Sequence, residues 1–154
     1  MVEFSESVPI ACAVARVWRA LTNPREVVQW DTGVRAALDA PANYPQPGQY
    51  VRWRYRLGPL PLTLHDRPTE VVRDANLRSS ILLGPFAIDE TYTLTSTGPG
   101  SSELSARLRL WSRLPLVASW LEPWFGLPLA RATVRSSLAA IRTHCEGAGD
   151  QTAP

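Results

Sequence analysis

The chain has 154 residues, 45% of them hydrophobic and 19% charged, with a formal net charge of +2. That is enough for one globular domain with a buried core. The basic residues are all arginine and are spread along the chain rather than clustered, which argues against a nucleic-acid surface.

Residues Glu3 to Ile10 alternate as a short strand. From Ala13 to Leu21, the apolar residues Val14, Val17, Trp18 and Leu21 recur at helical spacing and predict an amphipathic helix. Asn23, Pro24 and Glu26 then have the order of a capping box, predicting a second short helix from Pro24 to about Gln29. Gly33 to Ala40 reads as a strand, and PANYPQPG, ending at Gly48, reads as a loop.

Five strands are predicted next: Gln49–Leu57, Leu62–Arg73, Leu77–Leu83, Phe86–Thr97 and Glu103–Arg113. The connections are short and rich in Gly and Pro, so an antiparallel meander is expected. Pro68 marks a bulge or an edge position. In QYVRWRYRL, Val51, Trp53, Tyr55 and Leu57 share one face of the strand, and Arg52, Arg54 and Arg56 share the other. Pro128 to Glu146 predicts a long helix with Ala130, Val134, Leu138, Ile141 and Cys145 along one side and Arg131, Arg135 and Arg142 beside them. The expected organisation is one domain over residues 1–146 and a disordered polar tail over 147–154.

No apolar run approaches the roughly 20 residues of a membrane-spanning helix. The nearest, Leu114 to Ala130, is broken by Pro115, Glu122, Pro123, Gly126 and Pro128. No leader pattern is visible, so a cytoplasmic protein is expected. Cys12 and Cys145 are expected to be free thiols. No Cys/His spacing suggests a metal site, and no motif calls for a cofactor.

A sheet of this size must cover its inner face, and the C-terminal helix is the long element available. Its apolar stripe is rich in alanine, which leaves room for a cavity between helix and sheet. At this point the chain resembles the START-like superfamily, also called SRPBCC. The residues that carry the likeness are VPI ending at Ile10, ARVWRALTNP from Ala15, VQW ending at Trp30, the Gly48 turn, LHDRPTEVV from Leu64, DETYTL from Asp89 and SSLAAIRTHCE from Ser136. The branch is similar to the polyketide cyclase/dehydrase or coenzyme-Q-binding type. The resemblance implies an α+β helix-grip fold: a curved antiparallel sheet wrapped around the C-terminal helix, with two short helices after the first strand.

That fold implies a cavity facing Trp53, Tyr55, Tyr92, Leu108, Leu110, Val134 and Leu138, with Trp30 at the sheet edge packing or touching ligand. Strand alternation puts Glu90 on the same face as Tyr92. Glu90 is either a cavity acid, base or ligand anchor with a raised pKa, or a carboxylate paired with an arginine or sitting at the pocket mouth. His65 is a weaker acid–base candidate, and it points away from Asp66. The arginine face of Arg52, Arg54 and Arg56 is a solvated surface or a dock for an anionic carrier protein. The segment holding Trp120, Trp124 and Phe125 closes the core, acts as a lid or portal, or touches a membrane or another protein.

No nucleophile elbow, phosphate loop or catalytic constellation is present in the sequence. Three functions stay open: a carrier or binder of a lipid, polyketide, isoprenoid or aromatic metabolite; a polyketide cyclase or dehydratase using a cavity acid or base; and a quinone- or membrane-associated lipid chaperone.

Overall fold

A computed structural model describes residues 1–116 and 126–149. Strand β1 (Val2–Ile10) is followed by helices α1 (Val14–Thr22) and α2 (Pro24–Trp30). Six strands come next: β2 (Val34–Ala37), β3 (Val51–Leu57), β4 (Leu60–Val72), β5 (Asn76–Leu83), β6 (Phe86–Gly98) and β7 (Ser101–Ser112). Helix α3 (Leu127–Gly149) follows and runs past Glu146, where the apolar stripe ends.

The strands form a seven-stranded sheet in the order β1-β7-β6-β5-β4-β3-β2, and every neighbouring pair is antiparallel. Helices α1 and α2 carry the chain from β1 at one edge to β2 at the other. The two-residue turns at Gly58-Pro59 and Gly84-Pro85 place their glycines at φ of 58° and 55°, a left-handed backbone that suits glycine. The register slips between Pro68 and Glu70, where the missing proline N–H cannot join the ladder.

Two predicted details differ. The strand expected over Gly33–Ala40 shrinks to Val34–Ala37, because the ladder slips between Val34 and Ala36 and Asp39 turns out to bind Arg52. The capping box is half formed. The Asn23 side chain accepts from the Arg25 N–H, as an N-cap should, but the Asn23 N–H goes to the Arg19 carbonyl. Glu26 turns instead to Arg16, Arg19 and His144, with oxygen–nitrogen distances of 2.8, 2.8 and 2.9 Å. This ion cluster ties α1 and α2 to the end of α3.

Helix α3 packs against β1, α1 and α2. Leu138, Ile141 and Cys145 are buried there with Val17, Ala20, Leu104 and Ile10. The two cysteines are free, and the Cys12 thiol donates to the Cys145 carbonyl at 3.2 Å. On the neighbouring side, Arg131 and Arg135 reach Glu6 of β1. Among the described residues no helix is long and apolar enough to cross a membrane.

Candidate functional site

The C-terminal half of α3 is sealed onto the core, whereas its first half stands off the sheet. A cavity of about 270 Å³ lies in that gap, close to the lower end of the ~300–1,000 Å³ range of small-molecule sites. Its floor is the inner face of β3 to β7, and its roof is α3 from Leu129 to Ser137. The apolar wall includes Leu64, Ile81, Phe86, Ile88, Leu108 and Leu110. A surface groove continues outward from it, sharing Asp31, Tyr55, Leu57, Leu129, Thr133 and Ser137 with the cavity wall.

Strand register fixes which side chains face this space. Glu90 sits opposite Ser79 on β5 and Leu108 on β7, and Tyr92 sits opposite Leu77 and Ala106. Directly opposed antiparallel residues share a face, so Glu90 and Tyr92 point inward with these buried neighbours. Glu90 is half-buried against the cavity and pushed up from 4.5 to about 7; burial is the main cause, the Tyr92 hydroxyl works against it, and the Asp66 and Asp31 carboxylates add to it. The Tyr92 hydroxyl is raised well above its usual range, by burial first and then by Glu90 and Asp31. Burial raises Tyr55 to about 12, helped by Asp31 and Glu90.

Asp31 sits just after α2, where its Oδ1 accepts the Gly33 N–H at 2.9 Å. Burial raises its pKa, against hydrogen bonds from the Gly33 and Val34 backbone. Asp66 lies deeper, behind the cavity. Its Oδ2 accepts the Tyr44 hydroxyl at 2.6 Å, while Oδ1 keeps no well-aligned partner. Burial raises this carboxyl too, partly offset by Tyr44, Ser79 and Trp53. The inner face therefore carries Asp31, Glu90 and Asp66 within electrostatic reach of one another, with tyrosine hydroxyls between them. Among the described residues no His, Cys, Asp and Glu cluster has a metal-binding arrangement.

Of the residues singled out in the sequence, Glu90, Tyr55, Tyr92, Leu108, Leu110 and Val134 line the cavity. Trp30, Trp53 and Leu138 do not. Trp30 is buried under the sheet edge, with its indole N–H donating to the Ala20 carbonyl at 2.8 Å. Trp53 faces inward but is covered by Tyr44 in an edge-on contact at 5.7 Å. Leu138 belongs to the filled half of the helix contact. His65 pairs in register with Arg52 on the outer face, where the Tyr50 hydroxyl contacts its Nδ1. It is not a cavity group. Arg52, Arg54 and Arg56 are exposed, and Arg52 is held by Asp39 at 2.8 Å. Trp120, Trp124 and Phe125 lie outside the described residues.

Asp31 was not anticipated. It follows a helix end and has no periodic neighbours. The signal for it was local: DTG after α2, a sequence suited to an Asx turn. Gly33 completes that turn beside Tyr55, where an added Cβ would clash with the ring.

The fold is shared widely. A START superfamily protein from Mycobacterium smegmatis superimposes with a TM-score of 0.79 at 16% identity, covering 94% of this chain and 97% of that one. The aromatase/cyclase Zhui from Streptomyces gives 0.76 at 15% identity, covering 94% and 93%. A Thermus thermophilus protein gives 0.76 at 15% identity, covering 96% and 99%. At these identities the likeness is one of fold. No curated protein sequence matches this chain. The family model described as "Polyketide cyclase / dehydrase and lipid transport" matches residues 1–146. The family match spans nearly the whole chain, and the sheet and helices have the fold seen in the START superfamily protein, so the chain belongs to the polyketide cyclase/dehydrase and lipid-transport family.

Proposed function

We propose that this protein binds a compact, largely apolar small molecule in the cavity under the first half of α3. The observation that carries this reading is an apolar chamber of about 270 Å³ with a half-buried acid, Glu90, in its wall. A domain that had no use for the space would close it, because unfilled volume costs stability. Apolar contact supplies the affinity, at ~25 cal/mol per Å² buried before the entropy of association is subtracted. Hydroxyls of Tyr55 and Tyr92 and the Glu90 carboxyl orient the ligand's polar atoms.

A second reading, proton-transfer chemistry of the cyclase or dehydratase kind, is favoured by one observation. A carboxyl that titrates at about 7 can donate and accept a proton near neutral pH. It needs a nearby reactive atom on the bound molecule, and Tyr92 is placed to steady the carboxyl between steps.

Native mass spectrometry of the purified protein, followed by extraction of anything bound, tests the binding reading. A defined added mass that leaves on denaturation, or uptake of members of a neutral lipid and aromatic panel, is expected. A clean mass with no uptake from that panel overturns it. Chemical change of the bound molecule, lost in Glu90→Gln while uptake persists, would establish the enzyme reading.

A further inference from the structure

Resting on the cavity-binding reading, we propose that the ligand is an amine: an apolar ring system carrying a protonated nitrogen that sits against Glu90 and Asp31.

The argument starts from the sign of the charge. Glu90 and Asp31 both line the cavity, and no arginine or histidine does among the described residues. Residues 117–125 contain no basic residue, so that segment adds none. The arginines are committed elsewhere. Arg107 and Arg109 pair with Glu3 on the outer face, Arg131 and Arg135 with Glu6, and Arg16 and Arg19 with Glu26. Arg35 and Arg56 stand in the outer groove, not in the cavity.

Two half-buried carboxyls on the wall of an apolar cavity, with no cation in that wall among the described residues, are costly as charges. Glu90 has no strand neighbour to neutralise it: Ser79 and Leu108 flank it across the ladder. Its remaining accessible surface opens on the cavity, and Tyr92 is the hydroxyl that serves it. Asp66, behind the wall, carries further negative charge of the same sign when ionised.

A carboxylate or phosphate ligand would meet like charges here and no cation. A neutral ketone or alcohol would be served by the tyrosine hydroxyls alone and would leave the second carboxyl without a role. A protonated amine satisfies both. Its N–H groups donate to Glu90 and Asp31 while its rings fill the space bounded by Ile88, Leu108 and Val134. No bond is made or broken; the step is ion pairing inside a largely apolar cavity.

The test uses three probes of one shape: naphthylmethylamine, naphthylmethanol and naphthoic acid. Each is titrated by calorimetry into the wild-type protein and into Glu90→Gln, above the pH at which Glu90 ionises. The amine is expected to bind tightest, by about tenfold over the alcohol, which corresponds to ~1.4 kcal/mol. The acid is expected to bind weakest. In Glu90→Gln the amine should lose its advantage while the alcohol changes little. Equal binding of alcohol and amine, or best binding of the acid, overturns the ligand class and leaves cavity binding standing. An amine advantage that persists unchanged in Glu90→Gln overturns the role of Glu90. Failure of all three probes to bind overturns the cavity-binding reading itself. The wild-type ranking decides the ligand class even if the variant does not fold.

Discussion

Between pH 4.5 and about 7 the folded chain holds a proton on Glu90 that the unfolded chain has released. The folded state then binds more protons than the unfolded state, so stability falls as pH rises through this window. At about 1.4 kcal/mol per pH unit, the interval from 4.5 to about 7 amounts to about 3 kcal/mol. Below the window that stability is fully present; above it the loss is complete and constant. Asp31 and Asp66 are raised as well and act in the same direction. Glu90→Gln keeps the shape of the side chain and has no proton to lose. Urea unfolding from about pH 5 to about pH 8 should show the wild type losing stability and the variant losing about 3 kcal/mol less. Parallel curves for the two proteins would refute the enclosed-acid account, because an exposed or ion-paired Glu90 gives no such difference.

Glu26 has the opposite sign. Burial opposes its ionisation, but His144, Arg19 and Arg16 together hold it down from 4.5 to about 2. Its stabilisation is present above 4.5 and is lost as pH falls through about 2, so Glu26→Gln should cost about 3 kcal/mol at neutral pH and little in strong acid, as read by thermal melts. Ile141 is 1% exposed in the filled half of the helix contact, so Ile141→Ala should cost about 3 kcal/mol in urea unfolding. Leu110 already faces open space, so Leu110→Ala should cost clearly less and admit a bulkier ligand. Gly33→Ala drives a methyl into the ring of Tyr55, a cavity-lining side chain that must then shift; ligand affinity measured by calorimetry should fall more than the melting temperature does.

Side-chain facing was legible in the sequence, and depth was not. The period of two in β6 and β7 places Glu90, Tyr92, Leu108 and Leu110 on the inner face, and that is where they lie. The same period put Trp53 on the inner face and could not tell that the Tyr44 loop covers it. Leu138 and Val134 lie on the same side of α3, yet one is in the filled contact and the other borders the cavity. The distinction depends on where the helix lifts from the sheet, a three-dimensional fact with no local pattern. Glu26 had the spacing of a capping box, but two arginines of α1, seven and ten residues earlier, and a histidine from α3 competed for it and won. Charge-assisted hydrogen bonds outweigh a single backbone N–H. Asp31 came from a turn, where neither helical nor strand periodicity applies.

The most direct test of the central claim is methyl-resolved NMR of the protein titrated with a neutral naphthalene-sized probe. Binding in the cavity should shift the methyl signals of Ile81, Ile88, Leu108 and Val134, and leave those of the outer-surface Leu82 and Val72 in place. Shifts confined to outer-surface methyls, or none at saturating probe, would contradict a ligand site between the sheet and α3.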